Sequence, residues 1–547
     1  MDGQAQFQFQ QTDMALVSGE EVERLIAGLK TTPSWTDQAD TAAVSQWIVR
    51  GWAHLGAHRD RLDLGLAQPD SPVGAPNRLA TVWARLTRDL VSAGPTKYQD
   101  ALRPAIAHIV KLLWFTSAVA RLDHPHFKAL NQSSLQALSN LNTLNPRAIE
   151  HTWPLLMDCD ARQSILPRLL YTRNNRVLLP VGVLVLNCVH GDRGRIDSLT
   201  DTPLGRDVMR MLLERLDALL DDQTEMVFEV IVKLVREIVA LEPATEGPKL
   251  YHSQATPSQV LSPGQLAVLK VLDSLALPPS SAFLLAEFAR LAPRLDSAWQ
   301  GFVLLIHLLV SRIEIFIAAA PSSGHKDALE EDAMDDPHVE EVVRTSIRIL
   351  KEVSDQRSQL MSGHDPSRAT SSRPEPEGED KKRSINQILS GLVKLITHLI
   401  ELKNSAAASA GHPDSRGAAF IQDLVRTMDG FPVILSFTKF DVDFPYLREH
   451  AIVLLKYLLK NNPDNQAVIR DLEPLNAVPT PTTRTVELQP GRAESESGSP
   501  LDKHGVVDSS GSLGGYVSLA TSHTSRDQRR SFEGNPNKPC YDNCDGK

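Results

Sequence analysis

Apolar side chains recur along this chain three and four residues apart, the interval that places them on one face of an α-helix. Leu447, Ala451, Leu454, Leu455 and Leu458 form one such stripe. The same interval runs through VFEVIVKLVREIVAL (227–241), GFVLLIHLLV (301–310), VVRTSIRILKEV (342–353) and ILSGLVKLITHLI (388–400). The punctuation is helical too. Ser18 is placed to cap EEVERLIAGLK with its acidic first turn, and Pro104 to start or kink the apolar stretch from Tyr98 to Leu122. Ser262-Pro263 and Asp336-Pro337 open helices as N-cap and first-turn pairs. Pro445, with Asp443 as its cap, opens a helix whose C-terminal turns carry Lys456 and Lys460 and which Asn462-Pro463 stops. Sustained period-two alternation is almost absent. FPVILSF (431–437) has the composition of a strand, but its helical surroundings favour a helix.

The stripes repeat. LQALSNLNTLNP (135–146) aligns with VLLKYLLKNNP (453–463): Leu138 with Leu455, Leu141 with Leu458, Asn145 with Asn462, Pro146 with Pro463. A looser copy, VGVLVLNCVHGD (181–192), puts Asn187 where Asn140 stands, 47 residues on, and ends at His190-Gly191. That interval falls at the roughly 40–47-residue period of armadillo and HEAT repeats. A helical hairpin with one leucine stripe cannot bury it unaided, so neighbours stack and share a continuous core. The expected fold is all-α, an armadillo/HEAT-like α-solenoid over about residues 15–475. Unrelated amphipathic helices in a globular α-domain are the alternative.

Three stretches depart from the period. The Gln-rich residues 1–15 are expected to be disordered, residues 355–383 to form a disordered, Ser- and Pro-rich linker, and residues 476–547 a disordered tail. That leaves repeats over 16–354 and a C-terminal helical repeat domain over 384–475. The acidic run from Asp327 to Glu341 reads as a solvated loop leading into a helix, with a dock for a basic partner as the alternative.

Composition narrows the function. Of 547 residues, 42% are hydrophobic and only 5% aromatic, which suits helix-on-helix packing. The net charge of −10 and the absence of a long basic stripe disfavour nucleic acid. Four Cys are too few for a disulfide framework, and MDGQAQFQFQQTDMA shows no leader, so a cytoplasmic location is expected. GFVLLIHLLVSRIEIFIAAA (301–320) has the length of a membrane span, but His307, Arg312 and Glu314 within it favour a buried helix and no integral span.

Motifs for chemistry are missing. Gly28-Leu29-Lys30-Thr31 lacks the Gly-Lys pair of a phosphate loop, and no dinucleotide, zincin, serine-hydrolase or kinase signature occurs. Cys159, Cys188 and His190 are the best metal candidates and read better as core packing; Cys540 and Cys544 lack a second ligand pair. Asp123-His124-Pro125-His126 reads as a turn. No cofactor, metal or catalytic residue is expected.

One resemblance is specific. GLVKLITHLIELK (391–403), FIQDLV, Gly430-Phe431-Pro432-Val433-Ile434-Leu435, Asp441 through Glu449, and Asn462 through Gln466 follow one another in an order that resembles the ataxin-10 family. Residues 160–192 are similar to fungal members, more loosely. His450 stands where the family usually has Trp, and His398 and Tyr457 where it usually has Asn. The resemblance implies an armadillo-like fold, a cytoplasmic location and adaptor activity without catalysis, linked in fungal relatives to cytokinesis and in animal ones to cell survival and signalling. It also places Asn140 and Asn187 where armadillo-like repeats line their inner groove. There a side-chain amide can bond a bound chain, or instead a neighbouring repeat's backbone. The expected function is a protein-binding scaffold with other proteins as partners. An enzyme with a dispersed site and a membrane-associated or transport-related factor are the alternatives.

Overall fold

The computed structural model describes residues 41–60, 62, 75–157, 164–219, 226–319, 336–362, 376–409, 418–439 and 444–471. Among them every regular element is a helix, so the all-α expectation holds. The helix expected after Ser18, residues 1–15, Cys159 and residues 476–547 lie outside the described residues. The chain divides into two compact units, Met1–Leu458 and Leu459–Lys547.

In the first unit, α1 is Thr41–Ala57, α2 Ala75–Ala93, α3 Pro95–Leu102, α4 Ala105–Thr116, α5 Val119–Leu122 and α6 Pro125–Asn142. There follow α7 Pro146–Leu156, α8 Ile165–Leu170 and α9 Asn175–Val189, then α10 Arg193–Asp201, α11 Pro203–Ala218 and α12 Met226–Ala240. Between α2, α6, α9 and α12 lie connecting helices: α3, α4 and α5, then α7 and α8, then α10 and α11. The long members stack on each other, α2 on α6, α6 on α9 and α9 on α12. Their stripes are buried where they meet: Leu135, Leu138 and Leu141 of α6, Val181, Leu184 and Val185 of α9, Leu234 and Val235 of α12. Each such leucine contributes about 1.5–3 kcal/mol on burial, which no isolated hairpin could collect.

The three aligned copies close alike. Leu144, Gly191 and Asn461 all take positive φ, at 55°, 68° and 55°, ending their helices in the left-handed conformation. The next residue caps the following helix each time. Asn145 Oδ1 accepts from Ala148 N, Asp192 Oδ1 from Arg195 N and Asn462 Oδ1 from Asn465 N. The copy at 181–192, weak by residue identity, therefore closes as the other two do.

The unit continues through α13 Pro243–Ser253, α14 Pro263–Ser274, α15 Ser281–Leu291, α16 Leu295–Ala319, α17 Asp336–Ser362, α18 Pro376–Ser409, α19 Ala419–Thr427, α20 Phe431–Ser436 and α21 Pro445–Leu459. Ser262 makes the full capping box with Gln265. Pro104 divides its stretch into α3 and α4. Residues 431–436 are helical. In the second unit the described helix is α22, Pro463–Asp471.

Two stretches, Ser281–Ala318 and Arg383–Ala406, are long and apolar enough to cross a membrane by length and composition. In α16, Phe302, Leu305, Ile306, Leu309 and Ile313 are buried, and the helix packs on α14, α15 and α18, which is core-helix behaviour.

The linker expected over 355–383 is corrected at both ends. α17 continues to Ser362 and α18 begins at Pro376. The Pro-Glu-rich composition that reads as linker is also a helix start.

Candidate binding surface and the seams between repeats

Polar side chains in the C-terminal halves of α6 and α9 tie each of these helices to the long helix before it. Asn140 on α6 donates through Nδ2 to Ser92 Oγ at 2.8 Å and lies 3.5 Å from Arg88 O, both on α2. Asn187 on α9 donates through Nδ2 to Ser139 O at 3.2 Å and Thr143 Oγ1 at 3.0 Å. Arg88 Nη1 reaches Gln136 Oε1 at 3.0 Å along the same row. Both asparagines are thus half-buried in the row expected to line an inner groove, with their NH₂ groups committed to the preceding long helix. What either could offer a bound chain is the carbonyl oxygen, an acceptor for a backbone N–H. Replacing Asn187 by Ala removes two donations at once and is expected to cost about 1–2 kcal/mol, read as a shifted urea midpoint.

Glutamines form a second set of ties that the sequence did not announce. Gln99 Nε2 on α3 donates to Asn140 O and Thr143 O, both at 2.8 Å. Gln422 Nε2 on α19 donates to Tyr457 O at 2.8 Å. Asn140 and Tyr457 are aligned positions, so in two copies an earlier helix grips the same carbonyl of the long one. Those carbonyls lie in the last turn, where α-helices lack internal partners.

Where the family usually has Asn, His398 faces carboxylates: its Nε2 lies 3.5 Å from Glu314 Oε1 on α16, and its Nδ1 3.5 Å from Glu401 Oε2. Lys394 Nζ also reaches Glu314 Oε1, at 3.4 Å. Burial holds the imidazole below its ordinary pKa of 6.5, with Lys394 adding to the depression and Glu314 and Glu401 opposing it. His450 is depressed likewise, by burial, then Lys394 and His398, against Glu449. A depressed imidazole pKa means that the unfolded chain takes up protons first. Their contribution to stability is therefore complete above about pH 6.5 and lost as pH falls through and below it. Thermal unfolding at pH 7 and pH 5.5 should show a larger drop for the native chain than for His398→Asn combined with His450→Phe. Equal drops would remove these imidazoles from the account.

The other candidates have structural duties. Cys188 is fully buried in α9, and burial pushes its thiol up to about 12, while His190 turns outward to Glu237 Oε2 at 3.0 Å. Asp123 accepts from Thr172 Oγ1 and from Arg173 N, tying the turn after α5 to the turn after α8. A depression open to solvent lies there, lined by Asp123, Lys128, Arg173, Asn174 and Asn175. Tyr251, Glu287 and Arg290 form a compact triad. The Tyr251 hydroxyl donates to Glu287 Oε2 at 2.8 Å, Arg290 Nη2 donates to the same oxygen, and burial raises the phenol's pKa. Among the described residues no group of three or more His, Cys, Asp or Glu is arranged to hold a metal ion.

Long helices stacked one on the next, with shorter helices connecting them, define an all-α helical-repeat protein of the solenoid class. Residues 418–497 match the family described as the spinocerebellar ataxia type 10 protein domain. It is 35% identical over 80 residues to the ataxin-10 homolog of Saccharomyces cerevisiae, a stretch covering 15% of this chain and 13% of that protein. It is 44% identical over 52 residues to the homolog of Candida albicans, covering 10% and 11%. With the Debaryomyces hansenii homolog it shares 30% over 92 residues, 17% and 16%. The aligned parts thus span under a fifth of these relatives' own length.

Proposed function

We propose that this chain is a non-enzymatic scaffold that binds other proteins in the cytoplasm and, following the resemblance of its C-terminal segment, acts in cytokinesis or cell-survival signalling. One observation carries the reading: α2, α6 and α9 hold half-buried polar side chains in a row, with Asn140 tying α6 to α2 and Asn187 tying α9 to α6. Such a surface has little freedom left to lose on binding, and an ordered surface binds at lower entropic cost. Its chemistry is presentation at fixed spacing, with no bond made or broken.

Affinity purification of the full chain from its own cells, with mass spectrometry, tests this. Recovery of a reproducible protein set, reduced when the row is altered by Asn140→Arg and Asn187→Arg, is the expected result. Recovery of no protein above background sinks the scaffold reading, and a turnover activity in the purified chain would sink the non-enzymatic one.

A further inference from the structure

On the flanking helices α4, α7 and α8, which pack on one another, the surface is built differently from the polar row. Trp114 of α4 is 43% exposed, an unusual position for the largest apolar side chain. Over its ring lies the guanidinium of Arg168 from α8, Cζ 4.6 Å from the centroid. A second guanidinium, Arg121, lies 4.1 Å from the ring centroid of the adjacent Phe115. Lys111 stands exposed one turn before Trp114, and Leu155 of α7 is 37% exposed. These three helices carry Lys111, Arg147 and Arg168 against a single carboxylate, Glu150. Arg147 is taken by Asp100, whereas no carboxylate among the described residues reaches Arg168.

The arrangement works against itself in the free chain. Burial, and then the neighbouring charge of Arg121, both disfavour the charged form of Arg168. Arg168 is thus a cation that no carboxylate among the described residues meets, in a chain of net charge −10. An incoming carboxylate relieves it. The platform also supplies Trp and Arg, the side chains that most often dominate binding energy when a partner covers them.

We propose that the surface around Trp114, Arg168 and Arg121 docks a short protein segment that carries carboxylates beside an apolar side chain. The carboxylates meet the Arg168 guanidinium and the Lys111 ammonium, and the apolar side chain lies against the exposed edge of Trp114 and Leu155. A broad polyanion fits less well. A membrane surface or a nucleic acid would bring many negative charges within a Debye length, about 8 Å at physiological salt, of a chain that is acidic as a whole. A short segment engages the patch alone. The inference rests on the scaffold reading and deepens it by naming a surface and the chemistry of its partner.

The test uses the full chain and a short labelled peptide alternating Glu and Leu, followed by fluorescence anisotropy. The controls are the Gln-and-Leu counterpart and phosphatidylcholine vesicles containing phosphatidylserine. The Glu peptide should bind, and the Gln peptide should not. Arg168→Glu and Trp114→Ala should each weaken binding on the order of tenfold. Lys233→Glu, an equal charge reversal at an exposed position of α12, should change it less than about twofold. Equal losses from Arg168→Glu and Lys233→Glu would overturn the proposal, as would failure of the Glu peptide to bind. Vesicle binding abolished by Arg168→Glu would reassign the patch to membranes. Affinity purification separates the two readings. If Arg168→Glu and Trp114→Ala retain the native partner set, this docking surface falls and the scaffold stands. If the native chain recovers no partner, the scaffold reading itself falls.

Discussion

Gly205→Ala should destabilise the chain by about 3 kcal/mol, although alanine is ordinarily the better helix residue by about 1 kcal/mol. Gly205 sits in the first turn of α11, where α10 ends and the chain turns at once into its successor. Thr202 makes the corner: its hydroxyl donates to Ser198 O at 2.6 Å and accepts from Gly205 N at 3.0 Å. A Cβ on residue 205 would overlap Ser198 O and stand 2.5 Å from Leu199 Cα and 2.7 Å from Leu199 O. All three are backbone atoms of α10, so no side chain can swing aside. The two helices would have to part, and buried Leu199, Leu204 and Val208 would part with them. Gly194→Ala is the matched control, because a Cβ there meets only Asp192 Oδ1 at an ordinary 3.6 Å. It should be neutral or slightly stabilising. Urea denaturation followed by far-ultraviolet circular dichroism separates the two, and equal midpoints would refute the tight-corner account.

Gly205 also shows where reading the sequence stops. Leucine stripes, Asn-Pro stops and the Ser262 box are local, so the periodicity of a few turns exposes them. The correspondence of 135–146, 181–192 and 453–463 was legible for the same reason, and the shared left-handed closures at Leu144, Gly191 and Asn461 carry it further. A glycine chosen for another helix's backbone leaves no local mark. Nor do Gln99 and Gln422, which grip aligned carbonyls from positions 41 and 35 residues upstream, at no constant interval. Trp114 and Arg168 are 54 positions apart in sequence, and only packing of α4 on α8 makes them a pair. Asn140 and Asn187 were legible as a row but not in direction, since which neighbour an amide bonds depends on how far two long helices slide past one another. At 355–383 composition misled, because proline and acidic residues serve a helix's first turn as readily as a linker.

Trp83→Ala is expected to cost about 4 kcal/mol, and its effect should be confined to one end of the described stack. Trp83 on α2 is 2% exposed and packs against Trp47 of α1 with ring centroids 4.5 Å apart. Its Nε1 donates to Ile48 O at 3.1 Å. Gly51 of α1 leaves room for the indole; a Cβ there would stand 2.7 Å from Nε1 and overlap ring carbons. Truncation opens a cavity between α1 and α2 and removes a donor from a buried carbonyl. The cost has two parts, and both fall on α1. In a stack whose members touch mainly their neighbours, stability is a sum of local and nearest-neighbour terms, so damage at the first described helix need not travel. Amide exchange should therefore quicken across Thr41–Ala57 and the facing part of α2 while Leu392–Ile400 of α18 keeps its protection. Gly205→Ala, placed at the corner between α10 and α11, should instead loosen those two helices and the ones on either side. If Trp83→Ala accelerated exchange evenly from α1 to α18, the unit would be folding as one globule, and the stacked-repeat description of its energetics would have to be given up.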